Sequence, residues 1–283
     1  LSNFSLFHEC NFIIYSSIDL IKKQKKHFQI DTPSIIKIDS EEDVLDTHIN
    51  IKEVFSNSQF NFGESDKELS ELGILSLKEA TKAIKDKNID ILVTAPINKD
   101  LSFSESFKYT GHTDFLKSYF RTSPLMLMIS KELKIALLTD HIPIKDVSNA
   151  INKDLVEQKI KALETSLIKD FQIKKPKIAV LAVNPHAGDN GVIGNEDHSI
   201  ITPAINSFKG TTSSINGPFS ADTFFVNENY KKYDGVIASY HDQGLIPFKT
   251  ISFGKGVNFT AGLPVVRTSP DHGTGFDIAG KGI

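Results

Sequence analysis

The 283-residue sequence predicts an α/β fold in which short buried strands alternate with amphipathic helices. Three observations support this class. First, four apolar runs of strand length each end in polar residues accompanied by Gly or Pro. Second, two longer segments carry apolar residues at helical spacing. Third, both kinds of segment are interleaved along the chain. Such a pattern is typical of layered architectures built on a largely parallel sheet.

Two helices are predicted from apolar periodicity. The first covers residues 76–87, with Ser76 as its N-cap and Glu79 three positions later, which is the spacing of a capping box. The second covers residues 154–171, where apolar residues recur at spacings of four, three and four. These spacings place an apolar stripe on one face of each helix, so both helices are expected to pack on a sheet.

Four predicted strands share an apolar run that polar residues follow at once. They cover residues 89–93, 135–138, 178–183 and 236–238. Three of them lead directly to a histidine, namely His141, His186 and His241. Ligands of open α/β sheets bind outside the carboxyl ends of the strands, so we expect these segments to form one shared site.

Composition limits the class of protein. The formal net charge is −3, with 40% apolar and 24% charged residues, so we expect a globular protein without a nucleic-acid or membrane partner. No apolar run approaches the ~20 residues that cross a bilayer, and no signal-peptide pattern opens the sequence. Cys10 is the single cysteine, which excludes an intrachain disulfide and fits a reducing, cytoplasmic location.

The three strand-end histidines are candidate metal ligands. Neutral imidazole is the commonest metal ligand, and three together suit Zn, Co, Ni, Mn or Fe in an open catalytic site. The alternative is that these histidines hydrogen-bond loop backbones, and the spacing leaves both interpretations open. The four histidines at positions 8, 27, 48 and 198 lack such a context and are interpreted as ordinary ones.

Several residues are candidates for binding an anion. Arg267 follows an apolar run, and its guanidinium fork suits a carboxylate or a phosphate; Lys249 and Asn258 lie in the same stretch. His112 and Thr113 lie where a helix is expected to open, and backbone N–H groups there form a seat for phosphate. The alternative for these two residues is a plain helix N-cap.

The cofactor candidate is a glycine-rich segment at residues 271–282, DHGTGFDIAGKG. The chain has no G-x-G-x-x-G fingerprint of a standard dinucleotide fold. In the segment, His272 is placed to stack on an adenine, Gly273 and Thr274 permit close backbone approach, and Asp277 is placed to accept from a ribose hydroxyl.

Together these motifs resemble the 4-hydroxythreonine-4-phosphate dehydrogenase family of pyridoxal phosphate biosynthesis, from about residue 90 to residue 283. The most specific matches are TAPINK (94–99), GHT (111–113), HIP (141–143), NPHAG (184–188), ADT (221–223), YHDQG (240–244) and DHGT (271–274). The family's N-terminal strand with its glycine-rich loop and its C-terminal helix have no counterpart, so we expect both ends to be truncated. Ser220 and Gly275 stand where the family often has Pro and Ala.

The resemblance implies a fold and a set of roles. The fold is that of isocitrate and isopropylmalate dehydrogenases, with two α/β/α lobes, residues 1–105 plus 250–283 and residues 106–249, and a cleft between them. The implied metal ligands are His141, His186 and His241, for one divalent ion (Zn, Mg or Co) in a site shared by the subunits of a homodimer. The implied substrate-binding residues are His112, Thr113, Lys249, Asn258 and Arg267. The loop from His272 to Asp277 is similar to the adenosine-binding loop of the related dehydrogenases.

The implied reaction is the oxidation of 4-phosphohydroxy-L-threonine by NAD or NADP. It gives 2-amino-3-oxo-4-phosphooxybutanoate, which loses carbon dioxide to form 3-amino-2-oxopropyl phosphate. Lys249 and Asp222 are the candidates for proton transfer. Three alternatives remain: a dehydrogenase for phospho-threonate or phospho-erythronate, a metal-dependent hydrolase or lyase that uses no nucleotide, and a catalytically silent metabolite-binding protein.

Overall fold

A computed structural model of the chain describes residues 4–56, 59–64, 66–98, 101, 103–104 and 107–282. Lys99, the last residue of the TAPINK motif, lies outside the described residues. The chain divides into two compact units, Leu1–Leu116 with His272–Ile283 and Lys117–Asp271. These units differ from the predicted lobes chiefly in the placement of residues 250–271. The predicted lobes were residues 1–105 plus 250–283 and residues 106–249.

The first unit contains a three-stranded parallel sheet in the order β1-β3-β2. The strands are β1 (Phe12–Ser16), β2 (Ile35–Ile38) and β3 (Ile49–Glu53), and the helices are α1 (Ile18–Phe28) and α2 (Lys67–Lys85). Ile49 and Ile51 of the central strand are buried. A further strand, β4 (Ile91–Val93), follows α2. Ile91 and Val93 are exposed, so the prediction of a fully buried strand is wrong here.

Helix α2 is longer than the sequence predicts. It begins at Lys67, because the Asp66 side chain caps it by accepting a hydrogen bond from the backbone N–H of Leu69 at 2.9 Å. Gly73 lies in its interior, where an added Cβ would meet nothing within 4 Å. The predicted N-cap at Ser76 is therefore wrong, although the predicted apolar stripe of this helix is buried.

The second unit is built on one mixed sheet. Its strands are β5 (Leu125–Ile129), β6 (Lys134–Leu137), β7 (Lys177–Leu181), β8 (Ser214–Phe219), β9 (Gly235–Ala238), β10 (Val257–Ala261) and β11 (Val266–Pro270). They lie in the order β11-β10-β5-β6-β9-β7-β8. The pairs β6/β9, β9/β7 and β7/β8 are parallel, whereas β5, β10 and β11 pair antiparallel. Strands β6, β7 and β9 confirm three of the predicted strands.

Helices cover both faces of this second sheet. After β4, the α-helices whose bounds the structure describes are α3 (His112–Phe120), α4 (Val147–Ala150), α5 (Lys153–Lys169), α6 (Thr202–Asn206), α7 (Ala221–Phe224) and α8 (His241–Ser252). On one face, the predicted stripe of α5 packs with Ala136 and Leu138. On the other, Leu245 and Phe248 of α8 pack with Leu137. Alternate residues of β6 thus serve two cores, and the predicted α/β class is confirmed.

Within the described part of the chain, no helix combines the length and the apolarity that crossing a membrane requires.

Candidate functional site

The three strands that lead to histidines lie side by side in the second unit. Their order is β6-β9-β7, and both neighbouring pairs are parallel. Their carboxyl ends therefore open at one edge of the sheet. His141 and His241, which follow β6 and β9, have ring centroids 5.4 Å apart. The structure thus brings together two of the three predicted metal ligands.

His241 is the first residue of α8, and its ring is oriented by a neighbouring carboxylate. Nδ1 donates a hydrogen bond to Asp242 Oδ1 at 2.7 Å. A proton on Nδ1 leaves the lone pair on Nε2, which is the form of imidazole that binds a metal ion. The side chain of His241 is 38% exposed, so its ring is partly accessible to a ligand.

His186 lies in a loop with an unusual backbone. Residues 186–190 all have positive φ, between 43° and 80°. Four of these residues carry a Cβ, and each such residue in the left-handed region costs about 1–2 kcal/mol. Gly188 stands where an added Cβ would lie 2.6 Å from the carbonyl oxygen of Gly194. Contacts elsewhere must stabilise this conformation.

Two acidic residues anchor the segment that leads into this turn. Asp197 is 1% exposed, and its carboxylate accepts hydrogen bonds from the backbone N–H groups of Val183 and Asn184 at 2.7 and 3.0 Å. The Asn184 side chain donates to Asp197 and also to Glu196, at 3.1 and 2.8 Å. Hydrogen bonds from Ser148 and Asn184 lower the pKa of Glu196 to about 2.

The amino-acid sequence alone does not indicate this acidic pair. A short helical turn covers Asp197–Ile201. An aspartate in such a turn is ordinarily solvated, and no local feature of the sequence indicates that this one is buried.

The full set of three histidines stays a prediction. Within the described residues, no group of three or more His, Cys, Asp or Glu side chains is arranged to hold a metal ion. His141 and His186 are exposed. The resemblance implies a site completed by a second subunit, and a single chain does not test that arrangement.

The predicted anion ligands on β10 and β11 share one face of the ribbon. Asn258 pairs with Ser269, so Arg267, two residues from Ser269, points to the same side. Arg267 is 2% exposed, and its Nη1 donates to Thr260 Oγ1 at 2.9 Å. Burial lowers the pKa of Arg267 to about 10, so it remains cationic at neutral pH. Asn258 Oδ1 is buried and has no hydrogen-bond partner among the described residues.

The two candidates for proton transfer have different surroundings. Lys249, near the end of α8, donates from Nζ to the carbonyl oxygen of Asp271 at 3.1 Å. Asp222, in α7, is exposed and lines an open cleft of about 580 Å³ together with Tyr240 and Asp242. Asp222 therefore shares a cleft with the neighbour of His241, whereas Lys249 contacts the end of β11.

The remaining predicted residues belong to the first unit. Helix α3 begins at His112, as expected, so His112 and Thr113 lie in its first turn. In the cofactor segment, His272, Gly273, Thr274 and Asp277 are exposed, and His272 Nδ1 donates to the Gly273 carbonyl at 2.9 Å.

One histidine interpreted as ordinary contacts the cofactor segment. His27 Nε2 donates to the Gly280 carbonyl at 2.9 Å, and its ring lies 4.3 Å from that of Phe62. An added Cβ on Gly280 would lie 2.5 Å from Phe62 Cβ, so this end of the segment packs closely on the first unit. The other end of the segment, at His272, is exposed.

Comparison with known proteins gives consistent matches. The family described as pyridoxal phosphate biosynthetic protein PdxA matches residues 8–283. A 4-hydroxythreonine-4-phosphate dehydrogenase of Sulfurihydrogenibium sp. is 42% identical over 274 residues, which are 96% of this chain and 84% of that protein. One of Bacteroides thetaiotaomicron is 43% identical over 224 residues, 78% of this chain and 62% of that protein.

Solved structures agree. The crystal structure of 4-hydroxythreonine-4-phosphate dehydrogenase from Klebsiella pneumoniae has a TM-score of 0.83 and 31% identity, covering 95% of this chain and 83% of that one. The enzyme from Burkholderia phymatum has a TM-score of 0.82 and 30% identity, covering 100% and 86%. A terephthalate 1,2-cis-dihydrodiol dehydrogenase from Burkholderia xenovorans shares the fold, with a TM-score of 0.63 and 22% identity over 96% of this chain and 84% of that one.

Proposed function

This chain belongs to the family of pyridoxal phosphate biosynthetic protein PdxA and is a dehydrogenase, and on that basis we propose that it oxidises 4-phosphohydroxy-L-threonine with NAD or NADP and one divalent metal ion. The product, 2-amino-3-oxo-4-phosphooxybutanoate, then loses carbon dioxide to give 3-amino-2-oxopropyl phosphate. The observation that carries the metal proposal is the pair His141 and His241, whose rings lie 5.4 Å apart at neighbouring strand ends.

The donor chemistry fits a metal such as Zn or Co. Imidazole nitrogens suit both ions, and the bond from His241 Nδ1 to Asp242 fixes the ring as metal-binding histidines usually require. His186 is the proposed third ligand. When bound, a divalent metal lowers the pKa of the alcohol that is oxidised, and the nicotinamide accepts the hydride.

The chain's own residues bind the substrate and move its proton. The buried cation of Arg267 would bind the substrate's carboxylate or phosphate. Asn258 Oδ1, which is buried without a partner among the described residues, would accept a hydrogen bond from the substrate's amino or hydroxyl group. Either Lys249 or Asp222 would take the proton of the substrate's hydroxyl group while hydride leaves the carbon that bears this group.

Two further groups of proposed ligands lie in the first unit. His112 and Thr113, in the first turn of α3, would contribute to phosphate binding. His272, Gly273, Thr274 and Asp277 would bind the adenosine part of the cofactor, and their exposure supports this role.

A homodimer with a shared active site is part of the same proposal. It is supported by the exposure of His186, the proposed ligand that the structure does not bring beside the other two. Size-exclusion chromatography with light scattering measures the oligomeric state. Action in the cytoplasm likewise remains a prediction.

The decisive experiment is a turnover assay with 4-phosphohydroxythreonine and NAD, followed by the absorbance of the reduced nicotinamide. We expect turnover that a chelator abolishes and added divalent metal restores. Phospho-threonate and phospho-erythronate, tested in parallel, identify a related dehydrogenase if one of them is preferred. Substrate consumption without nicotinamide reduction would instead indicate a hydrolase or a lyase. If none of the three substrates is turned over, the proposal is contradicted.

A further inference from the structure

A series of hydrogen bonds joins the carboxyl ends of the three histidine-bearing strands. Thr139 Oγ1 donates to the carbonyl oxygen of Ser239 at 2.9 Å, and Ser239 Oγ donates to that of Leu181 at 3.2 Å. Both hydroxyl residues are buried. Each stands two residues before a histidine, Thr139 before His141 and Ser239 before His241. The ends of β6, β9 and β7 are thus tied together by side chains as well as by the sheet.

Gln243 strengthens this connection with a single carboxamide. Its Oε1 accepts from the backbone N–H of Ser239 at 2.7 Å, and its Nε2 donates to the carbonyl oxygen of Ala182 at 2.8 Å. Ser239 lies on the approach to His241, and Ala182 lies on the approach to His186. The amide supplies a donor and an acceptor at these two positions at once, whereas an ionised carboxylate of the same length would only accept. The backbone spacing between the two approaches therefore depends on this side chain.

The next residue, Gly244, is what allows α8 to approach closely enough. An added Cβ would lie 2.7 Å from Leu137 Cδ2 and 3.0 Å from Ala238 Cβ. Since the Ala238 Cβ is attached directly to the backbone, a larger residue would push the helix away from the sheet. The short side chain of Gln243 would then fail to reach both strand ends.

We propose that Gln243 is a positioning residue, which sets the relative placement of His186 and His241 and thereby the affinity of the site for its metal. This inference rests on the proposed function, in which both histidines are metal ligands in sites shared by the two subunits, so their placement within one chain affects each site. Residues that orient metal ligands through hydrogen bonds typically change metal affinity by about 10–100-fold when they are replaced. Gln243 touches neither metal nor substrate in this scheme and acts only through the backbone.

The test compares Co²⁺ binding by the folded wild type and by variants of the full chain. Gln243→Met keeps the length of the side chain and removes both hydrogen bonds, whereas Gln243→Glu keeps the acceptor and removes the donor. Gln158→Met makes the same change at an exposed position of α5 and is the matched control. Each metal-free protein is titrated with Co²⁺ against a chromophoric chelator, and the visible spectrum of the bound ion is recorded.

We expect Gln243→Met and Gln243→Glu to bind Co²⁺ about 10–100-fold more weakly with an altered spectrum, and Gln158→Met to match the wild type. Equal affinities and spectra for wild type and Gln243→Met, even with a lower melting temperature, would overturn the positioning role. A wild type that binds no Co²⁺ would instead overturn the metal part of the proposed function, and this inference with it.

If Gln243→Met does not fold, Gln243→Glu and Thr139→Val carry the same test. Thr139→Val is close in shape and removes only the bond to the Ser239 carbonyl. We expect both variants to bind Co²⁺ more weakly than the wild type, with an altered spectrum. If the affinity and the spectrum of both variants equal those of the wild type, the proposal is overturned.

Discussion

Replacing Asp197 by Asn should destabilise the second unit and loosen the loop that carries His186. The buried carboxylate receives three N–H donors: Oδ1 accepts from Val183 N, and Oδ2 accepts from Asn184 N and Asn184 Nδ2. An asparagine keeps the volume but offers one oxygen. In its best orientation it retains the two bonds from Asn184 and points an NH₂ group at the N–H of Val183.

The magnitude follows from that one lost contact. A hydrogen bond to a charged group contributes about 1.5–3 kcal/mol, and a buried donor left without an acceptor costs about 1–3 kcal/mol. Since these values describe overlapping parts of one event, we expect a loss of roughly 2–4 kcal/mol in the free energy of unfolding. With a denaturant slope of about 2–3 kcal/mol/M, the urea midpoint should fall by about 1 M.

Circular dichroism is the suitable probe, because the chain has no tryptophan. Hydrogen exchange of the Val183 amide should also become faster, since that N–H loses its acceptor. The exposed Asp154→Asn, in the first turn of α5, is a control for the chemical change itself. An unchanged urea midpoint together with unchanged protection at Val183 would refute the assigned role of Asp197.

Four further predictions concern single residues. His186→Ala should lose bound metal and metal-dependent turnover while its circular dichroism stays native; full activity with full metal content would remove His186 from the metal set. Arg267→Lys should raise KM more than it lowers kcat, since it keeps the charge but loses the fork, and unchanged steady-state kinetics would contradict an anion role. Because the pKa of Glu196 is lowered to about 2, its ionised form stabilises the fold at pH values above the ordinary glutamate pKa of 4.5. This stabilisation is lost as the pH falls toward 2. In Glu196→Gln, the free energy of unfolding should therefore fall less steeply with acid over this pH range, by about 1 kcal/mol after solvent screening. A pH profile parallel to that of the wild type would contradict the stabilising role of Glu196. Gly244→Ala should destabilise the second unit by about 1–3 kcal/mol through overpacking against β6 and β9, measured as a lower urea midpoint; a variant as stable as wild type would show that α8 can shift freely.

The fold was predictable where the signal is local. The strands β6, β7 and β9 are buried on both faces, so each is a continuous apolar run, and α5 shows its buried stripe at helical spacing. Helix α2 begins earlier than predicted, because Asp66 caps it and because Gly73, a poor helix former, faces open space and is tolerated in its interior. The exposure of β4 was missed because an apolar run does not show whether other elements cover it.

The candidate site was predictable in its chemistry and only partly in its arrangement. Residue type and position after apolar runs indicated two pairs of residues. The structure places the histidines after the neighbouring strands β6 and β9, and Asn258 and Arg267 on the neighbouring strands β10 and β11. Gln243 and Asp197, which bind the segments that lead to the histidines, contact backbone groups that are distant in the chain. No local pattern reveals such partners.

The amino-acid sequence by itself determined which segments form strands and helices, and which reactive side chains stand at the strand ends, because burial and periodicity are imprinted on consecutive residues. Tertiary structure alone decided that β9 lies between β6 and β7, so that residues 139, 182 and 239 become neighbours. It also decided that a buried carboxylate binds the backbone N–H groups of residues 183 and 184, which lead into the left-handed turn at His186. Both outcomes depend on hydrogen bonds between groups distant in the chain, which exist only once the sheet has assembled.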